Sequence, residues 1–118
     1  MGKKVILQVD GGGIRGITPA IVLAEIENRI KEKTGNQDFL LREILNLCTG
    51  TSTGAIISGL VAAGIPAEDI KKFYVEDSVD LFRKSERSCL GSILYGARYN
   101  REPFEDKLES ILNGSEVR

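Results

Sequence analysis

The chain has 118 residues, a length for about one domain, which buries roughly two-thirds of the surface that its unfolded form exposes. Its residues are 42% hydrophobic and 28% charged, as in a globular protein, and a net charge of −1 argues against nucleic acid or a strongly acidic partner. The two cysteines, Cys48 and Cys89, form no disulfide framework and fit a reducing, cytoplasmic setting. No apolar stretch approaches the ~20 residues of a membrane span. The Met-Gly-Lys-Lys start lacks the apolar core of a secretory signal, and Ile6 stands where a myristoylation signal has Ser or Thr.

The first element is the apolar run Val5-Ile6-Leu7-Gln8-Val9, which ends at Asp10 and three glycines. Such a run predicts a strand of a parallel sheet, buried on both faces. Thr18 and Pro19 then read as the N-cap and first position of a helix. Its apolar seam is Leu23, Ile26 and Ile30, its wet side Glu25, Arg29, Lys31, Glu32 and Lys33, and Gly35 stops it. Ile44 to Cys48 is the second strand. It enters Gly-Thr-Ser-Thr-Gly, residues 50 to 54, and then a helix over Ala55 to Ala63 whose apolar residues lie nearly all round, as in a central buried helix.

Gly64 ends that helix and Pro66 opens a third, with Ile70, Phe73, Tyr74 and Leu81 near one face. Residues 83–101 have no clear period. They carry Arg83, Lys84, Arg87, Arg98 and Arg101 against Glu86 alone, which suits a solvated loop or a segment that meets an anionic lipid surface. Pro103 begins a last amphipathic helix, with Phe104, Leu108, Ile111 and Leu112 apolar and Gly114 at its end. Alternating strands and helices predict an α/β fold with a parallel sheet.

Two glycine turns carry the chemistry. Gly50-Thr51-Ser52-Thr53-Gly54 fits G-x-S-x-G, a serine held on a sharp strand-to-helix turn. Gly50 and Gly54 let strand and helix approach with no Cβ between them. The helix that follows aims free N–H groups and its positive dipole end at the place where an oxyanion develops. The other turn, Asp10-Gly11-Gly12-Gly13-Ile14-Arg15-Gly16, contains G-x-G-x-x-G. It admits a nucleotide-binding reading, in which backbone amides cradle a pyrophosphate, although Glu32 lies on a charged helix face rather than at the end of a second strand. It equally suits an oxyanion site: three adjacent glycines free several amides to point at one anion. If the two strands are neighbours, both turns emerge on one sheet edge and face one another.

The chain has no histidine, the usual base beside such a serine. With "DGGGIRG" followed at this distance by "GTSTGA", and with "YNREPFEDKLESILNG" further on, the sequence resembles the patatin-like phospholipase family over essentially its whole length. The resemblance implies a three-layer α/β/α fold with a parallel central sheet, incomplete here. It implies a lipid acyl hydrolase with a serine–aspartate dyad, for which no histidine is needed. Ser52 is then the nucleophile, Gly11, Gly12, Gly13 and the Thr53 amide form the oxyanion hole, Gly50 and Gly54 are the elbow glycines, and Arg15 and Gly16 support the first turn. The substrate is a phospholipid or other lipid ester, met by transient contact with a membrane surface from the cytoplasmic side.

The family's base stands in an Asp-Gly-Gly or Asp-Gly-Ala motif after the elbow. Downstream of Ser52 the aspartates are Asp69, Asp77, Asp80 and Asp106, none followed by glycine, and Asp10-Gly11 belongs to the first turn, which the Asp10 side chain is expected to brace. Residues 1–118 are thus expected to be the N-terminal portion of one such domain, without the dyad aspartate. A short non-catalytic relative is the alternative. Cys48 reads as a core residue, and Lys71 and Lys72 lie on a charged helix face. No cofactor is implied. Metal binding and nucleic acid are unsupported, since histidine is lacking, the cysteines lie far apart and no oxygen-rich calcium loop is visible.

Overall fold

A computed structural model of the chain describes residues 2–77 and 102–114. Leu81, the basic stretch 83–101 and the Phe104 side chain lie outside the described residues. Two strands, β1 (Ile6–Val9) and β2 (Leu47–Gly50), pair in parallel with Ile6 opposite Leu47 and Val9 opposite Gly50. Around them run α1 (Ile17–Thr34), α2 (Thr53–Ala62), α3 (Ala67–Lys72) and α4 (Glu102–Gly114). Helices around a two-strand parallel sheet make an incomplete α/β fold.

The second strand begins three residues later than its hydrophobic run suggests. Leu41–Glu43 forms a 3₁₀ turn that the Ile44 amide closes on the Leu41 carbonyl at 3.1 Å. Asn46 then aligns the strands, since its amide donates to the Val5 carbonyl at 2.8 Å and its Oδ1 accepts from the Val5 amide at 2.9 Å. Burial on both faces of the first strand is not observed. Leu7, Val9 and Cys48 pack toward the core, but Ile6 is 59% and Leu47 54% exposed. In a sheet of two strands the described helices cover one face only.

Helix α1 starts at Ile17, directly after the 3₁₀ turn Gly13–Gly16, so Thr18 and Pro19 fall inside its first turn instead of capping it. Gly35 does stop it, with φ +69° and its amide on the Lys31 carbonyl at 2.9 Å. Its buried stripe is Ala20, Leu23, Ala24 and Glu27, and Ile26 is exposed. Small alanines at 20 and 24 let neighbouring helices come close, which apolarity alone does not reveal. Lys31, expected on the wet side, is half-buried because its ammonium pairs with Glu27 at 3.2 Å. Glu25 and Arg29 behave as expected, forming an exposed pair one turn apart at 2.7 Å.

Helix α2 packs on both strands, and the Ser58 hydroxyl pins it by donating to the Thr49 carbonyl at 2.7 Å. Burial is not all round: Ile57, Leu60 and Val61 face inward, whereas Ala55, Gly59 and Ala62 are exposed. Its C-terminus closes in a Schellman motif, with Gly64 at φ +86° donating to Val61 and Ile65 donating to Leu60. After α3 the chain widens into a π turn, Phe73–Asp77. Ile70, Phe73 and Tyr74 fill the core, each burial of such a side chain worth about 1.5–3 kcal/mol. Helix α4 begins one residue before Pro103 and rests Leu108 and Ile111 against the core, leaving Leu112 exposed. No helix among the described residues is long and apolar enough to cross a membrane.

Candidate active site at the strand ends

Parallel pairing sends both glycine turns out at one edge of the sheet, because each follows the carboxyl end of its strand. The Thr51 amide continues the ladder one step past β2 by donating to the Val9 carbonyl at 3.2 Å. At the next residue the chain reverses into α2. Ser52 makes that reversal with φ +54° and ψ −126°, and it is the one non-glycine residue with positive φ among those described. An L-residue held there costs of order 1–3 kcal/mol, which the surrounding packing must impose. The Gly54 amide returns to the Thr51 carbonyl at 2.9 Å and the Ala55 amide to the Ser52 carbonyl at 2.9 Å, so the strained residue is fixed from both sides.

The glycines at 50 and 54 are explained by contact. A Cβ on Gly50 would collide with the Gly54 carbonyl group, and one on Gly54 would land on the Val9 carbonyl oxygen. Strand β1, strand β2 and helix α2 therefore meet backbone to backbone at the elbow. Ser52 itself is exposed and makes no side-chain capping bond to α2. Among the described residues no hydrogen bond joins its hydroxyl to a carboxylate.

The first turn folds against the elbow. The Gly11 amide donates to the Thr51 Oγ1 at 3.0 Å and the Gly12 amide to the Thr53 Oγ1 at 3.3 Å, so the threonines on either side of Ser52 hold the glycine loop. A Cβ at Gly11 would come within 2.8 Å of the Ser52 Cβ. Threonine, not Asp10, is thus the brace: Asp10 is exposed, while buried Thr53 and nearby Thr51 lie across the interface. Sequence reading passes over these hydroxyls, although the threonines flanking Ser52 were the available signal. Gly13 and Thr53 head their helical turns, so their N–H groups have no acceptor within those turns. Arg15 folds back on the loop, with its Nε on the Gly12 carbonyl at 3.3 Å, and Gly16 is buried beneath Tyr74.

The remaining polar candidates stay apart from the site. Lys71 is paired with Glu68 at 2.6 Å, a contact that holds the Glu68 carboxyl below its usual range, and Lys72 is exposed. Asp69 and Asp106 are exposed on α3 and α4. Cys48 is half-buried, and desolvation pushes its thiol up, away from the reactive thiolate. No cluster of metal-ligating side chains occurs among the described residues.

Fold and turn together define an α/β protein with its candidate site at the carboxyl ends of parallel strands, centred on a strained serine. Residues 7–118 match the model of the patatin-like phospholipase family, to which the chain belongs. It is 34% identical to patatin-like protein 1 of Oryza sativa subsp. indica, over 99% of this chain and 30% of that protein. It is 34% identical to patatin-2-Kuras 4 of Solanum tuberosum, over 92% of this chain and 30% of that protein. Patatin-like protein 4 of Arabidopsis thaliana is 33% identical, over 95% and 30%. The chain thus spans about 30% of the length of these curated relatives. No solved structure matches it.

Proposed function

We propose that this chain carries the nucleophile and the oxyanion donors of a lipid acyl hydrolase. The observation that carries the reading is a serine at positive φ at the strand-to-helix reversal, where glycine would make the same turn without the cost. Membership of the patatin-like phospholipase family supports a lipid ester, such as a phospholipid, as substrate. Ser52 Oγ attacks the ester carbonyl, an Oγ–acyl bond forms, and the bond from the acyl carbon to the alcohol oxygen breaks. The serine proton passes through the base to the departing alcohol, and water then releases the fatty acid and restores the serine.

Gly13 and Thr53 place N–H groups for the oxyanion, and Gly11 and Gly12 shape the loop through their bonds to Thr51 and Thr53. One such donor is worth about 10²–10³ in rate. The base is the aspartate of an Asp-Gly-Gly or Asp-Gly-Ala motif. These 118 residues hold no such motif after Ser52, so of the dyad they supply the serine. Without the base about 10²–10⁴-fold in rate is lost. The substrate is met by transient contact with a lipid surface at the cytoplasmic side, and no cofactor takes part.

The test uses the polypeptide as its cell makes it. A fluorophosphonate probe should label it covalently, and Ser52→Ala should abolish both labelling and release of fatty acid from phospholipid vesicles. Labelling at full strength in Ser52→Ala would overturn the assignment of the nucleophile. Failure to hydrolyse any lipid ester despite labelling would overturn the substrate class.

A further inference from the structure

The elbow accounts for Ser52 and its glycines but leaves one group unused: Tyr74, the largest fully buried side chain among the described residues. It sits on the π turn after α3, more than 20 residues past the elbow, yet it touches both glycine turns. Its hydroxyl donates to the carbonyl of Thr53, the residue after Ser52, at 3.3 Å. Its ring occupies the space above Gly16, where a Cβ would lie 2.9 Å from ring atom Cε1. Phe73 packs edge-on against it, with ring centroids 5.1 Å apart at 89°. Thr53 in turn accepts the Gly12 amide on its Oγ1 at 3.3 Å.

These contacts close a ring. From Tyr74 it runs to Thr53, from Thr53 to Gly12, along the backbone to Gly16, and back to the Tyr74 ring. The turn carrying the Gly13 amide is therefore gripped at both ends, and each grip leads to the segment that carries the Thr53 amide. A buried phenol hydroxyl needs an acceptor, and the one it finds here is the backbone of the residue after Ser52. Burial also pushes the Tyr74 phenol up to about 12, so its hydroxyl stays a donor at any ordinary working pH.

We propose that Tyr74 is a positioning residue for acyl transfer, holding the first glycine turn and the Ser52 elbow at fixed separation so that the Gly13 and Thr53 amides converge on one oxyanion. This rests on the acyl-hydrolase reading of Ser52. Tyr74 touches no reacting atom; it acts through Thr53 and Gly16. Loss of its hydroxyl should loosen the convergence, and small displacements of such donors cost up to about 10²-fold in rate.

Tyr74→Phe in the polypeptide as its cell makes it is the direct test. We expect kcat on phospholipid vesicles to fall about 10-fold, within the range for a misplaced donor, with KM nearly unchanged. The fluorophosphonate labelling rate per folded molecule should fall in parallel. Gly16→Ala, which presses on the ring from the other end, should cause the same kcat-selective loss, and the double variant should lose less than the product of the two. A Tyr74→Phe protein with wild-type kcat and labelling rate, or with losses wholly explained by a smaller folded fraction, overturns the proposal. Should Tyr74→Phe not fold, Gly16→Ala carries the test alone, and unchanged kcat in it overturns the proposal. Ser52→Ala separates the two levels. If it still labels and turns over, the acyl-hydrolase reading falls; if it is dead while Tyr74→Phe is unaffected, only the role of Tyr74 falls.

Discussion

Glu27 ties α1 to the loop before β2 and to the start of α3. Its side chain lies on the inner face of α1, and the residue is 1% exposed. Oε2 accepts from the Leu41 amide at 3.2 Å, and Oε1 accepts from the Ala67 amide at 3.1 Å and from the Lys31 ammonium at 3.2 Å. The carboxylate thereby closes the loop before β2 and caps α3, whose N-cap, Pro66, has no side-chain acceptor to offer. Glu27→Ala strands two buried amides at roughly 1–3 kcal/mol each. The Lys31 side chain is 18% exposed and can turn to water, so it adds little. The total expected is about 3–5 kcal/mol, the usual cost of breaking a buried charged contact. Glu27→Gln keeps an acceptor for one amide and should lose about half of that, roughly 2 kcal/mol. Urea denaturation measures both variants, and hydrogen exchange reads the site directly: the Leu41 and Ala67 amides should lose protection first. If Glu27→Ala falls within about 0.5 kcal/mol of wild type, as an ordinary surface substitution does, and both amides stay protected, the keystone role is wrong.

Gly54→Ala should cost about 3 kcal/mol or more, because its methyl meets the Val9 carbonyl where strand and helix cannot part without opening the sheet. Circular dichroism melts and probe labelling should both show it; a stable, fully labelled variant would mean that the elbow has slack. The Tyr74 phenol titrates near 10 when unfolded and near 12 when folded. A folded-state value raised in this way means that stability is fully present below pH ~10 and is lost as pH rises toward ~12. Denaturation midpoints between pH 9 and 12 should fall more steeply in wild type than in Tyr74→Phe, and equal slopes would refute the linkage. Cys48, its thiol raised by desolvation, should react with iodoacetamide at pH 7.5 more slowly than free cysteine, and Cys48→Ala should leave fluorophosphonate labelling of Ser52 intact.

Local chemistry was legible wherever one stretch of chain contains both partners. Gly35 and Gly64 end their helices because a left-handed residue is needed at each place, and both glycines were found from the sequence. The elbow glycines were found for the same reason: their spacing about Ser52 is a local pattern. The exposure of Ile26 and the burial of Glu27 are not legible, because a helical period says which residues share a face but not which face is covered. The start of the second strand is not legible, because Ile44 and Leu45 are as apolar as the strand itself.

The sequence by itself determined the family, the parallel α/β rhythm, and the two glycine turns with Ser52 between them, since each rests on residue type at short spacing. Tertiary structure alone decided that the two turns meet, that Thr51 and Thr53 hold the first against the second, and that Glu27 and Tyr74 lie at the junctions. Those contacts join residues about 14 to 60 positions apart, at separations where chain order imposes no geometry and only packing selects the partner.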